Sequence, residues 1–244
     1  MKILLLDLET SPNVVYTWGL WDQNVGLSQI VKPTEVLCFA AQWYGEKGIA
    51  FYSQHHDGRT EMVEAAHALL DEADVVMHWN GKRFDIPHLN REFVEAGLQP
   101  PSPYVEVDLL LTARKKFKFV SNKLEHVSRQ LGLEGKVKHE GFELWTKCLA
   151  GDEAAWKRMK KYNKQDVQLL GELYEILRPW IPSHPSVRLY DGTEGCPRCS
   201  STSVQKRGLA RTKTGEFQQF HCTDCGAWFR ATKRDRGVKV TDVA

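Results

Sequence analysis

The sequence has no apolar run approaching the roughly 18 residues that span a bilayer, so no membrane partner is expected. Its N-terminus lacks the signal-peptide order of basic region, long apolar core and small-residue cleavage site, and Asp7 interrupts the one apolar run there. A cytoplasmic chain is expected. Internal repeats and low-complexity segments are also missing, which sets repeat architectures aside. Cysteine is sparse, six in all, and in a reducing compartment a cysteine cluster points to metal before disulfide. A strong net charge is lacking too, at +2 overall. The charge is unevenly spread, however. Residues 187–244 hold 11 Lys+Arg against 6 Asp+Glu, and the rest 22 against 25. A basic tail on a slightly acidic body suits a nucleic-acid partner or a small solvated module. At 244 residues, 42% hydrophobic and 26% charged, the chain has room for one large domain, or a large one and a small one.

The stretch that organises the rest is Lys2-Ile3-Leu4-Leu5-Leu6-Asp7-Leu8-Glu9-Thr10. Four apolar residues read as a buried strand, and they run into two acids at i and i+2. In a strand those positions share a face, so Asp7 and Glu9 project together. Like charges held that close call for a cation, and Mg2+ or Mn2+ takes carboxylate oxygens. The bland alternative is an edge strand ending in solvated acids.

Further along, residues 36–44 read as a second strand, Gly45-Glu46-Lys47-Gly48 as a turn, and 49–52 as a third strand beside it. Residues 60–73 have helical spacing, with Thr60 as N-cap. Residues 74–79 suit a buried parallel strand, followed by a helix near 86–96 and the breaker at 99–103. A short strand at 105–109 runs into a helix ending near Lys116, and Leu124, Val127, Leu131 and Leu133 mark another. Residues 154–177 form one long helix or a broken pair. Strands first, then strand–helix alternation, indicate an α/β fold with a mixed sheet flanked by helices. Three prolines within 178–186 suit a semi-rigid linker. The expected division is a large domain at 1–180, a linker at 181–190, a small module at 191–236 and a disordered tail at 237–244.

Two more acidic motifs follow. Trp79-Asn80-Gly81-Lys82-Arg83-Phe84-Asp85-Ile86-Pro87 leaves a buried strand and delivers Asp85 at a helix start, where it also suits an N-cap. Tyr162-Asn163-Lys164-Gln165-Asp166 places Tyr162 and Asp166 on one helical face. Together the three stretches resemble the exonuclease motifs of the DEDD 3'-5' exonucleases, the DnaQ-like branch of the ribonuclease H-like fold. Asp7-Leu8-Glu9-Thr10 is similar to the first motif. Asn80-Gly81-x-x-Phe84-Asp85-x-Pro87 is similar to the second, in the form seen in proofreading domains of family B DNA polymerases. Tyr162-x-x-x-Asp166 is similar to the third in its tyrosine version, because Lys161 stands where the histidine version would carry its histidine.

The resemblance covers roughly residues 1–180 and implies a ribonuclease H-like fold with two Mg2+ or Mn2+ ions. It implies that Asp7 bridges them, that Glu9 and Asp166 hold the one binding the attacking water, and that Asp85 completes the other. Tyr162 would position that water, since a phenol near pKa 10 is a poor base. Thr10 and Asn80 match positions near the terminal nucleotide. Phe84 stacks there or, more readily, joins the core. Asp108 is a supporting acid or a helix cap. His78, His88, His126 and His139 have no ligand spacing and are read as structural or surface. Lys115, Lys116, Lys118 and Lys123 track a phosphate backbone or form a solvated face.

Cys196-x-x-Cys199 and Cys222-x-x-Cys225, 22 residues apart, fit a tetrahedral structural zinc site and resemble a zinc ribbon. A small module with few large apolar groups needs such a staple. Its basic residues, interleaved with Phe217, Phe220, Trp228 and Phe229, suit nucleic acid, with protein docking as the rival. Cys38 and Cys148 stand alone and read as inert. The expectation is a metal-dependent 3'-5' exonuclease acting on single-stranded 3' ends, DNA before RNA. It resembles phage replication nucleases, which would put it in the host cytoplasm, with a polymerase or other replication protein as a candidate partner. The alternatives are a catalytically idle nucleic-acid-binding adaptor and a structure-specific endonuclease using the same site.

Overall fold

The computed structural model describes residues 1–133 and 141–237. His139 and the tail beyond Gly237 lie outside the described residues. The elements are β1 (Ile3–Thr10), β2 (Val14–Val15), β3 (Ile30–Lys32), β4 (Val36–Trp43), β5 (Ala50–Ser53), α1 (Arg59–Glu72), β6 (Val75–His78), α2 (Asp85–Glu95) and β7 (Val105–Asp108). There follow α3 (Leu109–Lys116), α4 (Leu124–Gln130), α5 (Phe142–Leu149), α6 (Glu153–Leu177), α7 (Arg188–Asp191), β8 (Val204–Arg211), β9 (Gly215–Cys222), β10 (Trp228–Arg230) and β11 (Arg236–Gly237). Two compact units divide the chain: Lys2–Leu173, and a second that begins at Tyr174.

The first unit is built on a five-stranded mixed sheet of order β5-β4-β1-β6-β7. β1 is its central strand, antiparallel to β4 and parallel to β6. The pleat sorts β1 by parity. Leu4, Leu6 and Leu8 join a core with Met62, Ala66 and Leu70 of α1 and Leu89 and Phe93 of α2. A separate core lies around Leu37, Cys38, Leu144, Cys148, Trp156 and Met159. Burial raises the thiol pKa of both Cys38 and Cys148, which fits their reading as inert.

The strand–helix order follows the sequence expectation, with two local differences and one alternative settled. Thr60 does not cap α1, since Gly58 stands there with φ 83 and no side-chain cap bond. Of the two readings for residues 154–177, the single long helix is the one observed, as α6. α5 was not anticipated, because its eight residues bury only Leu144 and Cys148 and leave too short an apolar stripe to read.

The second unit carries a small sheet in which β9 pairs with β8 on one side and with β10 and β11 on the other. β8 and β9 form an antiparallel hairpin between the two cysteine pairs. Phe220 stacks on Phe229 at 5.5 Å, and the Arg230 guanidinium lies 4.0 Å over the Phe217 ring.

Candidate active site

Because Leu4, Leu6 and Leu8 share one face of β1, its other face presents Leu5, Asp7 and Glu9. That face looks toward α6. A Cβ on Gly171 of α6 would come within 3.1 Å of Leu5 Cδ1. Asp166 and Tyr162 stand five and nine residues earlier on the same helix, one turn apart from each other. One carboxylate oxygen from each of Asp7, Glu9 and Asp166 falls within 4.8 Å of the others. Three hard oxygen donors so placed suit Mg2+ or Mn2+.

Asp85, at the start of α2, comes from the opposite face of the sheet, and its Oδ1 accepts the Leu8 N–H at 3.0 Å. The β1–β6 ladder covers only Ile3–Leu5, so further along β1 a side chain replaces the neighbouring strand. The cap expected of Asp85 is not formed, since Phe84 stands at the cap position without a side-chain cap bond. Burial raises Asp85 to about 6, assisted by Asp108 and opposed by His78 and the Leu8 N–H. Tyr162 is also raised, by burial first and then by the carboxylates of Glu9, Asp166 and Asp7. At neutral pH it therefore carries its proton.

Asp7, Glu9, Asp85, Tyr162 and Asp166 line one cleft of about 410 Å3, and Asn80 and Phe84 line it with them. Phe84 is 37% exposed, contrary to a core position. Thr10 is not brought to this cleft. It lines a neighbouring pocket with Phe142 and Trp145. Asp108 is the cap of α3, accepting the N–H groups of Leu110 and Leu111, and it also accepts the Asn80 N–H at 3.1 Å. The cap reading is right, and the cap also braces the turn leading to Asp85. Under that turn lies His78, fully buried, whose Nδ1 accepts the Gly81 N–H at 3.1 Å. Of the four lysines considered, only Lys123 reaches the cleft.

Several residues at or beside the cleft were given no role by the sequence reading. Asn163 Nδ2 donates to the Asp7 carbonyl at 3.1 Å and to Asp7 Oδ2 at 2.7 Å. Its only signal was adjacency to Tyr162. Arg114 and Trp79 line the cleft as well, and nothing in their spacing marked them.

In the second unit Cys196, Cys199, Cys222 and Cys225 offer four sulfurs within 4.8 Å of one another. Cys196 and Cys225 Sγ are 3.6 Å apart, Cys199 and Cys222 Sγ 3.8 Å. Four thiolates about 2.3 Å from a tetrahedral zinc lie about 3.8 Å apart. The donor set and spacing are compatible with a zinc ribbon. Burial pushes the Cys196 and Cys199 thiols up to about 11, so their thiolate forms call for a cation.

No curated protein matches the chain. Among solved structures it is similar to the family B DNA polymerase from the hyperthermophilic archaeon Pyrobaculum calidifontis, with TM-score 0.55 and 16% identity. That likeness covers 73% of this chain and 24% of the polymerase, so the chain spans about a quarter of that protein's length. At this identity the likeness is one of fold. A family model of the RNase_H superfamily, RNase_H_2, matches residues 25–178, which carry Asp85, Tyr162 and Asp166 and begin after β1. With most of its length matched, and a mixed sheet flanked by helices behind the acidic cleft, the chain belongs to the RNase_H superfamily.

Proposed function

We propose that this chain is a metal-dependent 3'-5' exonuclease that removes nucleotides from single-stranded 3' ends, DNA in preference to RNA. The observation that carries this reading is the convergence of Asp7, Glu9 and Asp166 within 4.8 Å, in the cleft that Asp85 and Tyr162 also line. Asp7, Glu9, Asp85 and Asp166 would hold two Mg2+ or Mn2+ ions. Such ions, when bound, supply an activated water and neutralise charge on the scissile phosphate and the leaving oxygen.

The chain's own residues do the rest. Tyr162, kept protonated beside Asp166, positions the attacking water and does not take its proton. Arg114 and Lys123, in the same cleft, offer cations to the phosphate backbone. Asn80 and Phe84 meet the terminal nucleotide. The preference for DNA rests on the polymerase-like form of the Asn80–Pro87 motif and on the polymerase neighbour. Residues 1–180 are assigned to the exonuclease domain, 181–190 to a linker and 191–236 to a zinc ribbon. Exposed Lys206, Arg207 and Trp228 give the ribbon a surface for nucleic acid.

The test is a denaturing gel of 5'-labelled single-stranded DNA and RNA, incubated with Mg2+ or Mn2+ and either wild-type protein or Asp7→Ala. The expected result is a metal-dependent ladder shortening from the 3' end, stronger on DNA and absent in Asp7→Ala. Intact substrate in every lane, with the oligonucleotide still retarded on a native gel, sinks the enzyme and leaves an adaptor. Cleavage of a circular substrate makes it an endonuclease.

A further inference from the structure

Outside the acidic cleft, His55, His56 and Glu153 bring three ligand atoms within 4.8 Å of one another. The histidines lie in the turn between β5 and α1, and Glu153 opens α6, 98 residues beyond His55. His55 Nε2 is 2.7 Å from Glu153 Oε1, and His56 Nε2 is 3.6 Å from Oε2. Both imidazoles thus turn the same nitrogen toward one carboxylate.

Each ring is also fixed from behind. The His55 ring stacks on the Trp156 indole, with centroids 5.1 Å and planes 7° apart. Trp156 is itself buried, its Nε1–H donating to the Cys148 carbonyl at 2.9 Å. His56 Nδ1 lies 2.9 Å from the hydroxyl of fully buried Ser53. With that nitrogen donating to Ser53 Oγ, Nε2 keeps its lone pair for a ligand. A surface ion pair contributes little to stability and needs no such bracing. Metal-ligating histidines characteristically have the second-nitrogen hydrogen bond that His56 makes to Ser53.

We propose that His55, His56 and Glu153 form a transition-metal site for an imidazole-preferring divalent ion such as Zn2+ or Ni2+. Two nitrogens and a carboxylate are the softer, borderline donor set, whereas the acidic cleft offers only hard oxygens. Three protein ligands leave a further position for water. The ion ties the start of α6 to the turn after β5, joining segments that the backbone connects only through most of the domain. This site stands apart from the proposed nuclease activity and does not depend on it.

The test is equilibrium dialysis of the full chain against Ni2+, with the cysteines preloaded with Zn2+ and Mg2+ in large excess to occupy the carboxylates. Wild-type protein is expected to bind one Ni2+ more than the double variant His55→Ala, His56→Ala, and to gain in Tm with Ni2+ where the variant does not. Glu153→Gln, which keeps the side-chain shape, is expected to lose that ion as well. Ser53→Ala weakens it about tenfold by freeing the His56 ring. Equal Ni2+ stoichiometry in wild type, double variant and Glu153→Gln overturns the site.

Discussion

Both hydrogen bonds from Nδ2 of buried Asn163 end on Asp7, one on its carbonyl and one on its carboxylate. The amide therefore sets the rotamer of a side chain expected to serve a metal. Replacing a residue that orients a ligand typically costs 10–100-fold in metal affinity. Asn163→Ala should raise the Mn2+ concentration for half-maximal activity by about that factor, with the circular dichroism unchanged. An unaltered Mn2+ titration would remove Asn163 from the site. Glu92 is a residue of another kind, fully buried and remote in role. Burial alone would raise its pKa, but bonds from Arg59, Arg91 and the Val36 N–H win and hold it below 4.5. A carboxyl lowered in the fold contributes stability that is complete above its unfolded value and fades as pH drops through the folded one. Glu92→Gln is thus expected to cost about 1–3 kcal/mol at pH 7, with the gap to wild type closing below pH 4.5. Parallel urea melts at pH 7 and pH 3.5 check this, and a constant gap counts against it.

At the scale of elements, the turn from β6 to α2 aims Asp85, and two details keep it tight. Asn80 adopts φ 72, and a Cβ at Gly81 would sit 2.3 Å from His78 Cγ. Neither the buried ring nor the backbone has room to yield. Gly81→Ala should cost about 1–3 kcal/mol and lower Tm, and activity should fall with it as Asp85 shifts. A variant with wild-type Tm would mean that the turn is looser than described. This turn also marks how far the sequence could be read. β1 was legible because its apolar run ends in acids of one parity, and α6 because its apolar stripe continues for 25 residues. Asp85 was legible as an acid at a helix start, but not its bond to Leu8, which depends on where the β6 ladder stops. Asn163 looked like any polar helix residue, and His55 and Glu153 are too far apart in sequence for any spacing rule to join them. Phe84 was misread because aromatic side chains usually bury, and this one stands at the rim of a cleft.

For the whole molecule, the two units differ in what holds them. Lys2–Leu173 carries a five-stranded sheet with apolar cores, whereas the cluster around the four cysteines adds little more than Ala227, Val204 and Phe229. A module with so small a core calls for a cross-link, which the four cysteines could supply through a metal. If the four cysteines hold zinc as proposed, removing it with a strong chelator is expected to abolish amide-exchange protection in β8–β10 and to leave β1, β4 and β6 protected. Protection surviving in β9 would mean that the ribbon holds without metal.

The central strand of the large sheet is also the first made of its five strands, and it draws its acidic partner from a helix more than 150 residues downstream. On the ribosome, Asp7 and Glu9 emerge before Asp166 and wait for it until most of the domain has been synthesised. A nascent or prematurely terminated chain thus lacks the complete carboxylate set. If the acids work as proposed, the protein cannot cut nucleic acid, including the message that encodes it, before translation has passed Asp166.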